Sequence, residues 1–181
     1  MIEVEVKACV KDPRMIERSI VAMGAAPIGI ENQADTYYNG SGRDFVKTDE
    51  ALRIRAKDNK YFLTYKGPKL DKISKTRQEF EVEINDPSNM GNILSSLGFS
   101  PVGTVIKKRK NYRIGDFFIS LDEVRNLGTF IEIEIAVKDS RNYDEKVESI
   151  FKFIEKLDMN RESTIRESYL EMLLQKDNLN E

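Results

Sequence analysis

The sequence predicts an α+β fold in which antiparallel strands form a barrel or tunnel with a charged lumen, while helices pack against its outside. Three observations support this prediction. Seven segments alternate charged and apolar residues, as expected for strands with one charged face and one apolar face. The charged positions of these segments recur as like-charged pairs, and a strand-helix-strand pattern occurs twice at one fixed spacing.

The chain begins with the most informative of these strands, Glu3-Val4-Glu5-Val6-Lys7. Side chains of a strand alternate between its two faces, so Val4 and Val6 share one face while Glu3, Glu5 and Lys7 share the other. Two carboxylates this close repel each other unless a cation lies between them. Glu3 and Glu5 are therefore candidate ligands of a divalent metal ion.

Six further segments carry charged residues in the same alternating phase. Their charged positions are, in chain order, Arg53 and Arg55, Lys66, Arg77, Glu79 and Glu81, Lys107 and Arg109, Asp122, and Glu132 and Glu134. A half-solvated antiparallel sheet also alternates, but like charges two residues apart on one face repel each other and are better explained by a shared ligand of opposite charge. Acid pairs suit a divalent cation and basic pairs suit phosphate or carboxylate, so the lumen is predicted to bind a complex of metal and polyphosphate.

The strand-helix-strand pattern repeats at an offset of 74 residues. Asp12-Pro13 and Asp86-Pro87 each predict the start of a helix, because aspartate caps free backbone N–H groups and proline at the first helical position loses no hydrogen bond. Gly24 and Gly98 predict the helix ends. A duplicated unit predicts two similar halves that face each other with quasi-twofold symmetry. The same offset also pairs Glu5 with Glu79, Pro27 with Pro101, and Tyr38 with Tyr112.

Two more helices are predicted after the last strand. Apolar residues at helical spacing indicate a third helix from Asn142 to about Leu157 and a fourth from Glu162 to about Gln175. Their apolar stripes are expected to cover the outside of the tunnel wall. Because no linker-like composition separates these segments, residues 1–181 are predicted to form one domain.

Composition narrows the chemistry further. Charged residues make up 33% of the chain, yet 29 basic and 31 acidic residues leave a net charge of only −2, which argues against binding to nucleic acids or membrane surfaces. No apolar run is long enough for a signal peptide or a membrane span, so a cytoplasmic protein is expected. Cys9 is the single cysteine and histidine is absent, which leaves carboxylates, Lys, Tyr, Ser and Thr for catalysis.

Several motifs resemble those of the CYTH superfamily, also called triphosphate tunnel metalloenzymes. They are Glu3-x-Glu5-x-Lys7, Ala51-Leu52-Arg53-Ile54-Arg55, Leu63-Thr64-Tyr65-Lys66-Gly67-Pro68, Leu121-Asp122-Glu123-Val124, and Phe130-Ile131-Glu132-Ile133-Glu134. The resemblance extends from Met1 to about Leu174, and the Leu63–Pro68 and Leu121–Val124 stretches are most similar to class IV adenylate cyclases. It implies an eight-stranded antiparallel tunnel that binds a nucleoside or inorganic triphosphate together with Mg²⁺ or Mn²⁺.

The resemblance also implies roles for individual residues. The implied metal ligands are Glu3, Glu5, Glu132 and Glu134, with Asp122 as a further ligand or as a group that orients metal-bound water. The implied phosphate-binding residues are Lys7, Arg53, Arg55, Lys66, Lys107 and Arg109. Of these, Glu5, Lys7, Asp122 and Glu134 are taken as catalytic.

Some positions keep more than one interpretation. The run Lys107-Lys108-Arg109-Lys110 offers two strand phases, and Lys107 and Arg109 are preferred because they match the lysine-x-arginine spacing of the family. A family-like dipeptide ends in Tyr169, which is either a lumen residue or part of an ordinary half-buried helix. The other expected lumen residues without an assigned role are Arg77, Glu79 and Glu81.

Three functions remain open on the sequence. The resemblance favours an adenylate cyclase that converts ATP into cyclic AMP and pyrophosphate. A triphosphatase that hydrolyses inorganic triphosphate, thiamine triphosphate or nucleoside triphosphates would use the same residues, and a non-catalytic module that binds polyphosphate or nucleotides is the third. The expected partner is thus a triphosphate, with no nucleic acid and no membrane, and a homodimer is left open.

Overall fold

The structure is a computed structural model that describes residues 2–69, 77–137 and 143–178. The helices are α1 (Pro13–Ala22), α2 (Phe45–Thr48), α3 (Pro87–Ser96), α4 (Tyr143–Glu155) and α5 (Tyr169–Asn178). The strands are β1 (Ile2–Cys9), β2 (Ala26–Gly40), β3 (Ala51–Lys57), β4 (Lys60–Lys69), β5 (Arg77–Ile84), β6 (Phe99–Ile114), β7 (Phe117–Val124), β8 (Gly128–Val137) and β9 (Thr164–Ile165).

All nine strands belong to one antiparallel sheet in the order β5-β4-β3-β2-β6-β7-β8-β1-β9. The predicted α+β class and antiparallel arrangement are confirmed. Eight strands match the expected number, and the ninth is a two-residue addition at one edge. Within the described ranges, β5 and β9 are the edge strands, so hydrogen bonds do not close the sheet into a complete ring.

The predicted duplication is visible in the topology. Helices α1 and α3 begin and end 74 residues apart, and each stands between the first two strands of a half. Strands β2 and β6 pair at the centre, where Ala26 lies opposite Arg113 and Asn39 lies opposite Ser100, two pairs that the same offset interchanges. The first strand of each half pairs with the last strand of the other half, β1 with β8 and β5 with β4.

Local chemistry explains the ends of the two repeated helices. The side chains of Asp12 and Asp86 accept hydrogen bonds from backbone N–H groups of the first helical turn. Gly24 and Gly98, which follow the helices, have φ values of +95° and +87°. Because side chains with a Cβ rarely adopt this left-handed region, glycine is the residue that lets the chain leave each helix here.

The predicted fourth helix starts later than expected, at Tyr169 rather than Glu162. Ser168 and Glu171 form a capping box that sets this start. The Ser168 hydroxyl accepts from the Glu171 backbone N–H at 3.2 Å, and the Glu171 carboxylate accepts from the Ser168 N–H at 2.5 Å. Apolar spacing alone did not reveal this cap.

The residues ahead of α5 form two short elements instead of helix. Arg161–Ser163 make one 3₁₀ turn, and β9 then adds to the edge of β1, with Ile165 opposite Lys7 and Thr164 opposite Ala8. Both residues of β9 are β-branched, which favours a strand. This addition brings the segment before α5 against the strand that carries the first motif.

Helix α2 was not predicted. It is a single turn capped by Asp44, whose side chain accepts from the Val46 N–H at 3.2 Å. Phe45 and Leu52 place this turn against the sheet, in a cluster with Ile54 and Leu94. Helix α2 therefore lies against the sheet at the point where the chain passes from β2 to β3.

The apolar core lies on the outer face of the sheet. Val4, Ile133 and Ile135 pack with residues of α1 and α4, and a smaller cluster lies beneath α3. The opposite face of the strands carries the charged side chains, as the alternation predicted.

The cluster beneath α5 lies on this charged face, because its strand residue Val105 alternates in phase with Lys107. The prediction that the fourth helix covers the outside of the tunnel wall is therefore wrong, since α5 packs on the charged side of the sheet. No helix in the described ranges has the length and apolarity needed to cross a membrane.

Candidate active site

A cavity of about 670 Å³ lies against the charged face of the sheet. Its walls come from β1 to β6, β8, α2 and the segment that leads into α5. Twelve of the residues singled out in the sequence line this cavity, namely Glu5, Lys7, Arg53, Arg55, Lys66, Glu79, Glu81, Lys107, Arg109, Glu132, Glu134 and Tyr169.

Three other predicted residues have a different status. Asp122 is 0% exposed and lies behind the cavity wall rather than on its surface. The side chains of Glu3 and Arg77 fall outside the described part of the structure. Their predicted roles in the metal site and the lumen therefore stay predictions.

The choice of strand phase in the basic run of β6 agrees with the structure. Lys107 and Arg109 line the cavity. Lys108 is exposed, and Lys110 points to the outside, where it forms an ion pair with Glu17 of α1 at 2.7 Å.

The acidic residues meet on the pair formed by β1 and β8. Glu5 lies directly opposite Glu134, and Lys7 lies directly opposite Glu132. Directly opposite side chains in an antiparallel pair are neighbours, so two facing carboxylates destabilise the sheet unless a cation joins them. Oxygen ligands of this type are those that Mg²⁺ and Mn²⁺ prefer.

These carboxylates fit a divalent metal, although no complete ligand cluster is preformed. Within the described residues, no group of three potential ligands already has metal-binding geometry. Glu132 is held by a short hydrogen bond from Arg109. Of the described residues, the candidates to hold the ion are Glu5 and Glu134, which face each other, and Glu132 on the same face of β8.

Asp122 is buried beneath the cavity surface and accepts hydrogen bonds from the basic residues of β6. Arg109 donates to both carboxylate oxygens of Asp122 at 2.6 Å, in a bidentate arrangement. Lys107 Nζ donates to Oδ2 at 3.1 Å, and so does the Tyr169 hydroxyl at 2.9 Å. Asp122 therefore anchors the cations of β6 and the Tyr169 hydroxyl through four hydrogen bonds. The role that the family pattern implied for it, as a further metal ligand or as a group that orients metal-bound water, stays a prediction.

Asp35 has the equivalent anchoring role in the other half of the sheet, although the sequence analysis assigned it no role. Arg55 donates to its two oxygens at 2.6 and 2.7 Å, and Arg53 Nη1 donates at 3.3 Å. Asp35 is only 2% exposed. A signal was present, because the repeat offset of 74 residues places Asp35 at the position of Arg109. The two halves thus carry the same bidentate ion pair with the charges exchanged.

Burial and charge shift the pKa values around both aspartates. Burial favours neutral Asp35, but hydrogen bonds and charge from Arg55, followed by Arg53, outweigh it and lower its pKa. Burial, together with the neighbouring charge of Arg109, lowers the pKa of Lys107 despite its acidic partners. For Arg109, the charges of Glu132 and Asp122 overcome burial and raise the pKa, so this guanidinium stays charged.

Sequence comparison agrees with this geometry. A profile of the CYTH domain matches residues 1–169. The chain belongs to the CYTH domain family. The matched region includes every strand, and it ends at Tyr169, the first residue of α5.

Some relatives of this CYTH protein are similar over almost their whole length, and others over a shorter region. A protein of Methanocaldococcus jannaschii with the name "Putative adenylate cyclase MJ0240" is 42% identical over 172 residues, which is 95% of this chain and 98% of that protein. Adenylate cyclase CyaB of Aeromonas hydrophila is 25% identical over 140 residues, 76% of this chain and 70% of CyaB. The solved structure of PH1819 from Pyrococcus horikoshii superposes with a TM-score of 0.87 at 43% identity and covers 96% of this chain and 99% of its own.

Proposed function

We propose that this CYTH protein is a metal-dependent adenylate cyclase of the class IV type, which converts ATP into cyclic AMP and pyrophosphate. The observation that carries the proposal is a single cavity whose wall combines facing carboxylates, seven basic side chains and an apolar patch. The two adenylate cyclase names among its relatives support the same choice.

The apolar patch favours a nucleotide over an inorganic triphosphate. It contains Phe45 and Val46 of α2, Val102 of β6 and Leu170 of α5. Val46 and Val102 are 53% and 36% exposed, which is unusual for valines that line a cavity. Inorganic triphosphate has no apolar part, whereas a nucleobase would cover this surface. The cavity volume also lies in the range of about 300–1,000 Å³ that is typical of sites for ligands larger than a phosphate chain.

A β-bulge turns Val102 toward the cavity. Tyr37 pairs with Gly103 and Tyr38 pairs with Pro101, so Val102 is an extra residue between two regular pairs. Bulges of this kind redirect a side chain and are frequent next to active sites. The apolar patch is therefore built into the sheet by a specific irregularity.

The basic residues supply the phosphate site in this proposal. Their guanidinium and ammonium groups would bind the triphosphate oxygens and stabilise the charge that collects on departing pyrophosphate, after the ribose 3′-hydroxyl has attacked the α-phosphorus. Mg²⁺ or Mn²⁺ held by Glu5 and Glu134, with Glu132 nearby, would neutralise phosphate charge and polarise the phosphorus. The seven basic residues that line the cavity are Lys7, Arg53, Arg55, Lys66, Lys107, Arg109 and Arg166.

Product analysis tests this proposal. The purified protein is incubated with Mg²⁺ or Mn²⁺ and, in separate reactions, ATP, inorganic triphosphate or thiamine triphosphate, and the products are separated by chromatography. Cyclic AMP with pyrophosphate is the expected result. Release of orthophosphate would identify a triphosphatase instead, and binding without any product would identify a non-catalytic module.

A pair of glutamate variants shows whether the cavity is responsible for any product. Glu5→Gln should abolish turnover, because it removes one of the two facing carboxylates. Glu83→Gln is the matched control, since Glu83 is also a strand residue but forms its ion pair with Lys60 at 3.3 Å outside the cavity. Equal loss of activity in both variants would contradict the assignment of the site.

A further inference from the structure

Tyr169 connects three charged groups of the cavity wall. It is buried at the start of α5, where its ring packs on Phe130 with 5.1 Å between ring centroids. Val105 and Leu170 belong to the same apolar cluster. Packing therefore fixes the position of the ring, and its other contacts are with charged side chains.

The first contacts are with two lysines on the ring. Lys7 Nζ lies 4.3 Å from the ring centroid and Lys107 Nζ lies 5.1 Å from it. Both lysines are buried, Lys7 to the point of being 1% exposed. A cation within about 6 Å of an aromatic face is attracted to it, most strongly when it is shielded from water. One ring therefore holds ammonium groups from β1 and β6, strands that are not neighbours in the sheet.

The third contact is with the carboxylate that anchors the basic residues of β6. The Tyr169 hydroxyl donates to Asp122 Oδ2, the oxygen that also accepts from Lys107 and Arg109. Burial and the nearby charges of Glu132 and Asp122 raise the pKa of Tyr169, so the hydroxyl keeps its proton for this hydrogen bond. Ring and hydroxyl thus act on the same group of cations.

We propose that Tyr169 is a positioning residue of the phosphate site, whose ring holds Lys7 and Lys107 and whose hydroxyl holds Asp122. This inference depends on one part of the proposed function, namely that the cavity binds a triphosphate. It gives α5 a role in the site, because Tyr169, which contacts both lysines, is the first residue of this helix.

The docking of α5 is close and specific. A Cβ atom at Gly103 would come within 2.9 Å of Leu170 Cδ1, so a larger residue at this position of β6 would require the leucine side chain to move. The segment ahead of the helix adds a second attachment, because Lys7 Nζ donates a short hydrogen bond to the Glu167 carbonyl. Lys7 is thereby held by both the ring and the backbone of this segment.

Binding without metal separates this role from catalysis. Inorganic triphosphate is titrated into the full-length protein in the presence of EDTA, and its dissociation constant is measured by isothermal titration calorimetry. Tyr169→Leu removes ring and hydroxyl and should weaken binding about tenfold or more, whereas Tyr169→Phe keeps the ring and should stay within about threefold. A loss with Tyr169→Phe as large as with Tyr169→Leu would overturn the role of the ring.

Leu173→Ala is the control for simple loosening of the helix. Leu173 packs in the same cluster beneath α5 but does not line the cavity. Its substitution should lower the melting temperature and leave triphosphate affinity within about twofold. If Leu173→Ala weakens binding as much as Tyr169→Leu, the tyrosine acts only through helix docking and the proposal is wrong. If the wild-type protein binds no triphosphate either in EDTA or in a parallel titration with Mg²⁺, the phosphate site itself fails, and the proposed function fails with it.

Discussion

Two walls of the tunnel, the strand pairs β1–β8 and β5–β4, occupy equivalent positions in the repeat but differ in charge. In one wall, β1 and β8 place Glu5 opposite Glu134, two carboxylates face to face. In the other, β5 and β4 place Glu79, the repeat equivalent of Glu5, opposite Lys66, and an ion pair of 2.6 Å joins them. The first wall therefore brings two like charges together, while the second pairs opposite charges.

The next positions along the same strands show the same contrast. Lys7 faces Glu132 in the first wall. In the second wall Glu81 faces Thr64, whose hydroxyl donates to Glu81 at 2.8 Å. An acid pair in the sequence is thus not sufficient to predict a metal site, because the residues on the neighbouring strand decide whether its charge is already neutralised.

The largest effect is expected from removing one acid of the first wall. Glu134→Gln should lower turnover roughly a thousandfold, since several kcal/mol of metal-dependent stabilisation depend on that wall. Glu79→Gln in the second wall breaks only a partly exposed ion pair and should cost less than about tenfold. Initial rates with ATP and Mn²⁺ compare the two variants, and similar losses would mean that the walls are functionally equivalent.

The two buried aspartates extend the comparison to stability. Asp35→Asn should reduce the free energy of unfolding by about 3 kcal/mol at pH 7, because it leaves buried guanidinium groups without their anion. The pKa of Asp35 is lowered in the folded protein. Its contribution is therefore complete above the unfolded pKa of about 4 and is lost as pH falls through the folded value.

Denaturant unfolding followed by circular dichroism at several pH values measures this difference. The gap between wild type and Asp35→Asn should shrink as the pH falls below about 4. A gap that is constant with pH would show that the ionised carboxylate is not what stabilises the arginines.

A charge change can convert the second wall into a copy of the first. Lys66→Glu places a carboxylate opposite Glu79, so the free energy of unfolding should fall by about 1 kcal/mol in EDTA. Mn²⁺ should recover part of that loss if facing acids attract a cation. Lys60→Glu, which introduces the same charge beside exposed Glu83, is the comparison variant. Thermal unfolding with and without Mn²⁺ gives both values, and an identical metal response in the two variants would contradict the argument.

The smallest effect is expected at the apolar patch. Val102→Ser should raise the KM for ATP about fivefold, because part of the apolar contact is lost, and should leave the affinity for inorganic triphosphate unchanged. Val21→Ser, on the exposed side of α1, controls for removal of a surface valine. Steady-state kinetics with ATP and calorimetry with triphosphate separate the two ligands. Equal changes for both ligands would show that the patch does not contact the base.

Much of this architecture was predictable because it depends on local patterns. Alternation identified most of the strands and their charged face, and aspartate-proline pairs with glycines 12 residues later marked two helices at the correct positions. The capping box at Ser168 was equally local but was hidden by an apolar spacing that continued through Glu162. That error concerned where one helix begins and not whether it exists.

Sequence by itself determined which residues face the lumen, because the two-residue period of a strand assigns each side chain to a face without knowledge of its neighbours. Only the tertiary structure decided which of those charges meet. Strand register placed Glu134 against Glu5 and Lys66 against Glu79. Asp122 is fully buried, whereas Asp35 lines the cavity. The physical reason is that charge neutralisation depends on a few ångströms between strands that lie far apart in the chain, and no local pattern contains that distance.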